Sequence, residues 1–225
     1  PFNMGSGNGI DAGKGNPVYP DKYSVYYMWE DILKKDTVLD LISEFIFIER
    51  KEETDEVTGK TTVKEKVVFP RYHQLDVIRK TIADVEVSRT SQNYLIQHSA
   101  GSTNSIAWLA HRLSSLHDEE NKIVFDNIII CTDRVVVDRQ LQDAVRGIEH
   151  KTGLIKVMDD KCSSADLALA LQSNIKIIGT TIQKFPYIVD TVKNLKNKTF
   201  AVIIDEAHSS TAGKDMAAIT MTLGA

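Results

Sequence analysis

Asp205 and Glu206 stand directly after the apolar run Phe200-Ala201-Val202-Ile203-Ile204, and Ala207 and His208 complete the segment. A carboxylate at the end of a buried strand can hold Mg2+, directly or through water, while its neighbour polarises an attacking water. An Asp-Glu pair by itself more often opens a solvated turn. The match of four particular residues after an apolar strand favours chemistry. His208 reads as a polar link between such a site and its surroundings. Earlier in the chain, Tyr94-Leu95-Ile96-Gln97 leads through His98 into Ser99, Ala100, Gly101 and Ser102. Residues this small let backbone N–H groups converge on phosphates. Thr103 opens an amphipathic stretch; its helix N-terminus favours anions and its hydroxyl is placed as a Mg2+ ligand. A phosphate loop and a metal-binding acid are the two halves of a nucleoside triphosphate site.

The phosphate half is altered. A complete loop of this type carries Gly-Lys between the positions of Ser102 and Thr103, and the sequence reads straight from one to the other. The Lys would neutralise charge on the terminal phosphates and stabilise the transition state. Either the pair is deleted, or it is present in a mobile loop and the numbering closes over it. The second is the expectation, and it requires a Ser102–Thr103 separation well beyond one Cα step of ~3.8 Å.

Before the first of these runs lies Phe69-Pro70-Arg71-Tyr72-His73-Gln74. A Gln amide offers one donor and one acceptor, which match the N6 and N7 edge of adenine. Arg71 and Gln74 are therefore assigned to ATP binding, against the plainer reading of a surface Gln that opens a helix. Two more apolar runs end in polar residues: Ile130-Cys131-Thr132-Asp133-Arg134, and Ile178-Gly179-Thr180-Thr181-Ile182-Gln183-Lys184-Phe185. Hydroxyls, exposed backbone and a nearby cation suit phosphate contacts along a nucleic acid. Ordinary strand-to-helix turns would look similar, and Asp133 could simply cap the helix that follows.

The elements that must position these residues alternate. Apolar runs at 94–97, 127–131, 154–158, 175–178 and 200–204 are separated by helical periods. Ile106, Leu109, Ala110, Leu113 and Leu116 share one helix face, and Val137, Leu141, Ala144, Val145 and Ile148 share another. Ser163 with Asp166 reads as a capping box. This pattern predicts an α/β fold: a parallel sheet covered by helices on both faces, with ligands at the carboxyl ends of its strands. Upstream, 28–46 reads as helical, with Trp29, Ile32 and Leu33 on one face, Leu39, Ile42, Phe45 and Ile46 on the next, and Asp36 as a cap. Residues 45–69 read as a long β-hairpin turning at Thr58-Gly59. The glycines of 1–22 suggest an irregular loop, because no strand precedes them.

Composition sets outer limits. The chain has 225 residues, 42% of them hydrophobic and 26% charged, with a net charge of −4. That balance supports a packed core and argues against a generally basic nucleic-acid coat, though a local basic groove survives such an average. Cys131 and Cys162 lack metal-ligand spacing; Cys131 reads as a buried thiol, and the pair points to a reducing, cytoplasmic compartment. No run is long enough for a membrane span. The opening Pro1-Phe2-Asn3 suggests a piece of a longer chain.

Taken in order, Arg71-Tyr72-His73-Gln74, His98 to Ile106, Thr132-Asp133-Arg134 with Asp138-Arg139-Gln140-Leu141, Thr180 to Phe185 and Asp205-Glu206-Ala207-His208 resemble superfamily 2 helicase-like motors. More narrowly, the sequence is similar to the restriction (motor) subunit of type I restriction–modification enzymes, a likeness supported by His98 to Leu113, Phe45 to Glu49 and Asn16-Pro17. The resemblance implies a linker segment over 1–69 and the first of two RecA-like motor domains over 70–225. It implies ATP and Mg2+ as cofactors, and double-stranded DNA with modification and specificity subunits as partners. It places Gln74 on adenine, Gly101 to Thr103 on phosphate, Thr103 and Asp205 on the metal, and Glu206 on the attacking water. Thr132, Arg134, Thr180 and Thr181 would lie toward the DNA. No nuclease motif is evident. Competing readings are a catalytically silent module that binds DNA or protein, and an RNA helicase of the same superfamily.

Overall fold

The computed structural model describes residues 16, 18–54, 59–88, 92–98, 101–133, 139–148, 153–159, 161–189, 195, 198–207 and 214–223. The chain divides into two compact units, Pro1–Lys80 and Thr81–Ala225.

The first unit opens with helical turns. A π-helical turn, Met28–Ile32, precedes α1 (Lys35–Asp40), and a second, Leu41–Phe45, follows it. Ile32, Thr37, Leu41 and Phe45 are buried, at intervals of five, four and four, whereas Trp29, Leu33, Leu39 and Ile42 are exposed. The apolar faces expected from regular α-helical spacing are thus corrected: π turns carry i→i+5 bonds and rotate the buried stripe. Asp36 lies inside the first turn of α1, and the cap position belongs to Lys34, whose side chain makes no cap. Arg79, near the middle of α2 (Tyr72–Ser88), reaches Asp31 and Asp40, each at 3.5 Å. The hairpin forms as expected. β1 (Phe47–Thr54) pairs antiparallel with β2 (Thr61–Val68) from Phe47↔Val68 to Thr54↔Thr61. Gly59 takes φ 65, a left-handed turn conformation that suits glycine; Thr58 lies outside the described residues.

The second unit is built on a parallel four-stranded sheet in the order β4-β5-β3-β6, with β3 Asn127–Thr132, β4 Ile155–Val157, β5 Ile177–Thr181 and β6 Phe200–Ile204. Its helices are α3 (Ser102–Ser114), α4 (Arg139–Gly147), α5 (Ser164–Gln172), a 3-10 segment (Ile182–Tyr187) and α6 (Lys214–Leu223). Parallel strands in one sheet connect by right-handed crossovers. The step from β3 to β4 runs one way across the sheet, and the steps from β4 to β5 and from β5 to β6 run back. The reversal places α4 on one face and α5 with the 3-10 segment on the other. Ile129, Cys131 and Ile178 accordingly pack with Leu167, Leu171, Phe185 and Ile219 on the second face. Alternation turns Ile128, Ile130 and Ile177 to the first face, where α3 lies against β3 and α4. The expected stripe on α3 is buried, as are Leu141, Ala144, Val145 and Ile148 of the α4 stripe, while Val137 lies outside the described residues; Ser163 and Asp166 form the capping box.

One expected strand is missing. Residues 92–98 carry no ladder, and Leu95 is 89% exposed. Tyr94 instead donates its hydroxyl to Asp84 at 2.6 Å. A strand exists only where a neighbour completes its ladder, and only residues 98–101 are left to link this run to α3.

Candidate functional site

Backbone hydrogen bonds show which edge of the sheet α3 starts from. Leu116, just past the end of α3, accepts from the N–H of Val124 at 3.0 Å. Asp126 in turn bonds Thr199 at 2.8 Å, where β3 and β6 begin. The C-terminus of α3 therefore sits at the amino edge of the sheet. His111 Nε2 meets the carbonyl of Val145, toward the end of α4, at 2.8 Å, and α4 descends from the carboxyl edge. At 1.5 Å per residue, α3 is about 20 Å long, roughly the length of the strands it covers. Its N-terminus thus returns to the carboxyl edge, on the α3–α4 face.

Gly101 makes the entry to that helix, with φ 80 and ψ 26, a left-handed conformation that strains a residue bearing a Cβ. Gly101, at the cap position, has no side chain to cap the first turn, and the Ser105 hydroxyl donates back to the Gly101 carbonyl at 3.4 Å. A helix N-terminus presents N–H groups and the positive end of the dipole to an anion. Ser102 and Thr103 are successive residues of α3. The helix thus begins at the point where the sequence reads straight from Ser102 to Thr103. Ser99 and Ala100 lie outside the described residues.

Asp205 ends β6 at the same edge. Its N–H donates to the carbonyl of Cys131 at 2.9 Å, one step beyond the Cys131↔Ile204 pair. Val202 and Ile204 face the second layer, so Ala201, Ile203 and Asp205 belong to the α3 face. Glu206 follows at φ 55, a left-handed backbone that a glutamate adopts at a cost of about 1–2 kcal/mol. Its N–H donates to Asp205 Oδ1 at 3.1 Å. The turn leaves Glu206 exposed and Asp205 half-buried. His208 lies outside the described residues.

The fold therefore brings Gly101, Ser102 and Thr103 to the same edge and face as Asp205 and Glu206. Among the described residues no three His, Cys, Asp or Glu side chains gather as a metal cage. Magnesium needs none, being held by one or two protein oxygens together with phosphates and water.

The other assigned residues are placed differently. Gln74 is buried, and its Oε1 accepts the N–H of Arg71 at 2.8 Å. This is the reach from the third helical position back to the cap that starts α2. The contact matches a Gln that opens a helix, buried where the sequence suggested a surface. Thr132, Thr180 and Thr181 are 3%, 0% and 3% exposed, so their hydroxyls do not lie on an open track. Arg134 lies outside the described residues.

Two side chains of the run after β5 serve the turns themselves. Gln183 Nε2 donates to the carbonyl and to Oδ1 of Asp133, at 3.0 and 3.1 Å, tying the turn after β5 to the turn after β3. Lys184, read as a cation for nucleic acid, donates to the carbonyls of Asp159 and Cys162 at 3.0 and 2.9 Å. That turn is closed by Asp159 Oδ1, which accepts from the N–H groups of Lys161 and Cys162. The Cys162 thiol, then the Lys161 N–H, hold the Asp159 carboxyl below its usual range. The sequence signal was Gln-Lys one residue beyond a strand end.

Comparison with known proteins follows the same lines. Residues 73–224 match the SWI2/SNF2 ATPase family. The chain is 22% identical over 233 residues to a putative type I restriction enzyme MjaVIIIP endonuclease subunit of Methanocaldococcus jannaschii. That alignment covers 88% of this chain and spans 22% of the relative's length. No solved structure matches.

Proposed function

The chain belongs to the SWI2/SNF2 ATPase family, and on that premise we propose that residues 70–225 are the ATP-driven motor domain of a type I restriction translocase acting on double-stranded DNA. The observation that carries this reading is the shared edge and face of the α3 N-terminus and the Asp205-Glu206 turn. The name of the archaeal relative supports the narrower restriction assignment, with modification and specificity subunits as partners. The family match begins at His73, which supports a functional boundary at 70 with 1–69 as a linker.

The residues present fit a magnesium–triphosphate in donor type. Thr103 offers a hydroxyl and Asp205 a carboxylate, both hard oxygen ligands. Gly101 and Ser102 offer the helix N-terminus to phosphate, with Ser99 and Ala100 completing the loop. Bound Mg2+ would neutralise charge that builds on the phosphates. Glu206 orients water, and His208 links the acids to neighbouring elements. Gln74, with Arg71, is the candidate reader of adenine. DNA contacts are assigned to the turns after β3 and β5, around Thr132, Arg134, Thr180 and Thr181. With the three hydroxyls buried, those contacts rest on backbone N–H groups and on Arg134.

A second reading, a catalytically silent module that binds DNA or protein partners, is favoured by one observation: Thr103 follows Ser102 directly, leaving the loop without its lysine. The deciding comparison is wild type against Asp205→Ala in the full-length protein. The motor reading expects Asp205→Ala to lower DNA-stimulated ATP hydrolysis on the order of 10²-fold or more, with an unchanged melting temperature. DNA binding without ATP hydrolysis in wild type supports the second reading. Normal hydrolysis by the variant removes Asp205 from the metal site.

A further inference from the structure

Thr132 ends β3 with its side chain 3% exposed, and its hydroxyl has no hydrogen-bond partner. An unpartnered buried hydroxyl has lost its water without compensation. A valine of the same shape would avoid that loss. In a strand, unlike a helix, the side chain has no carbonyl of a preceding turn to bond.

Register identifies its neighbours. Ile129 and Cys131 face the α5–α6 layer, so Thr132 faces the α3 side. On β5 its partner is Thr181. On β6 the residue after the Cys131↔Ile204 pair is Asp205, joined to Cys131 by its N–H. Adjacent strands lie about 4.8 Å apart, so Thr132 and Asp205 are side-by-side on one face at one edge. The α3 N-terminus is at that same edge. Asp205 meanwhile accepts the N–H of its own neighbour, Glu206.

We propose that Thr132 is a positioning residue of the nucleotide site rather than a DNA contact. Its hydroxyl donates to the Asp205 carboxylate when magnesium–nucleotide draws that carboxylate away from the Glu206 N–H. The proposal rests on the nucleotide reading above. It explains the unpartnered hydroxyl as a donor whose acceptor arrives with the ligand.

The test compares wild type, Thr132→Val and Thr132→Ser in the full chain, with Asp205→Ala as a reference. Melting temperature is measured without nucleotide, and binding of a fluorescent ATP analogue is measured with and without Mg2+. Thr132→Val should melt about 2–4 °C higher, yet bind the analogue about tenfold more weakly with Mg2+ present. Without Mg2+ its binding should equal wild type, and Thr132→Ser should restore tight binding. A purely structural threonine would not give higher stability with weaker binding. Unchanged Mg2+-dependent affinity in Thr132→Val, alongside a loss in Asp205→Ala, overturns this inference and leaves the nucleotide reading standing. A lower melting temperature in Thr132→Val also overturns it. Absence of Mg2+-dependent binding in wild type overturns both.

Discussion

Individual side chains in this protein have their chemistry set by depth as much as by type. Cys131 is wholly enclosed in the α5–α6 layer, and burial pushes its thiol from an ordinary 9.0 up to about 12. Below pH 9 both folded and unfolded chains keep the proton, so the group leaves stability unchanged. Between pH 9 and about 12 only the unfolded thiol ionises, and stability falls by about 1.4 kcal/mol per pH unit. Urea unfolding from pH 8 to 11 should show that decline, and Cys131→Ala should remove its share of the slope. An identical slope in the variant would place the loss elsewhere. The same dependence on depth explains the threonines. Thr132, Thr180 and Thr181 look like exposed hydroxyls because they end apolar runs, but their strands are covered to the last residue. Lys184 is another case, since its cation serves two carbonyls of the 159–162 turn rather than solvent.

Elements were legible in the sequence in proportion to how local their causes are. The capping box of α5, the hairpin and the buried stripes of α3 and α4 follow from spacing and end residues. The helical turns before the hairpin did not follow spacing, because π turns shift the periodicity that the reading assumes. The run at 94–97 has the residues of a strand and no ladder among the described residues, because pairing is a property of two segments. The two-residue gap before Thr103 belongs at this scale. Inserting Gly-Lys between Ser102 and Thr103 should lengthen the loop and return a cation to the phosphates. ATP hydrolysis should then rise on the order of 10²-fold, with tighter nucleotide binding, as steady-state kinetics and titration would measure. No gain in either would show that α3 starts too far from the acids to use them.

For the whole molecule, the boundary between units falls inside α2, at Lys80/Thr81, while the family match starts at His73. Since a helix is a cooperative unit, we propose that the motor needs α2 intact. A chain of residues 70–225 should unfold cooperatively and retain the nucleotide binding of the full chain, whereas one starting at 89 should lose both. Equal behaviour of the two pieces in thermal melts would remove α2 from the motor. Among the described residues no helix is long and apolar enough to cross a membrane. By itself the sequence determined the α/β class, four of the five expected strands and the acid pair after β6, because hydrophobic period and strand-end residues are written locally. Only the tertiary structure decided that the α3 N-terminus and Asp205 share one edge and face, that the threonines are buried, and that one apolar run finds no ladder. Those outcomes depend on crossover handedness, register and pairing between segments far apart in the chain, which no single stretch of residues encodes.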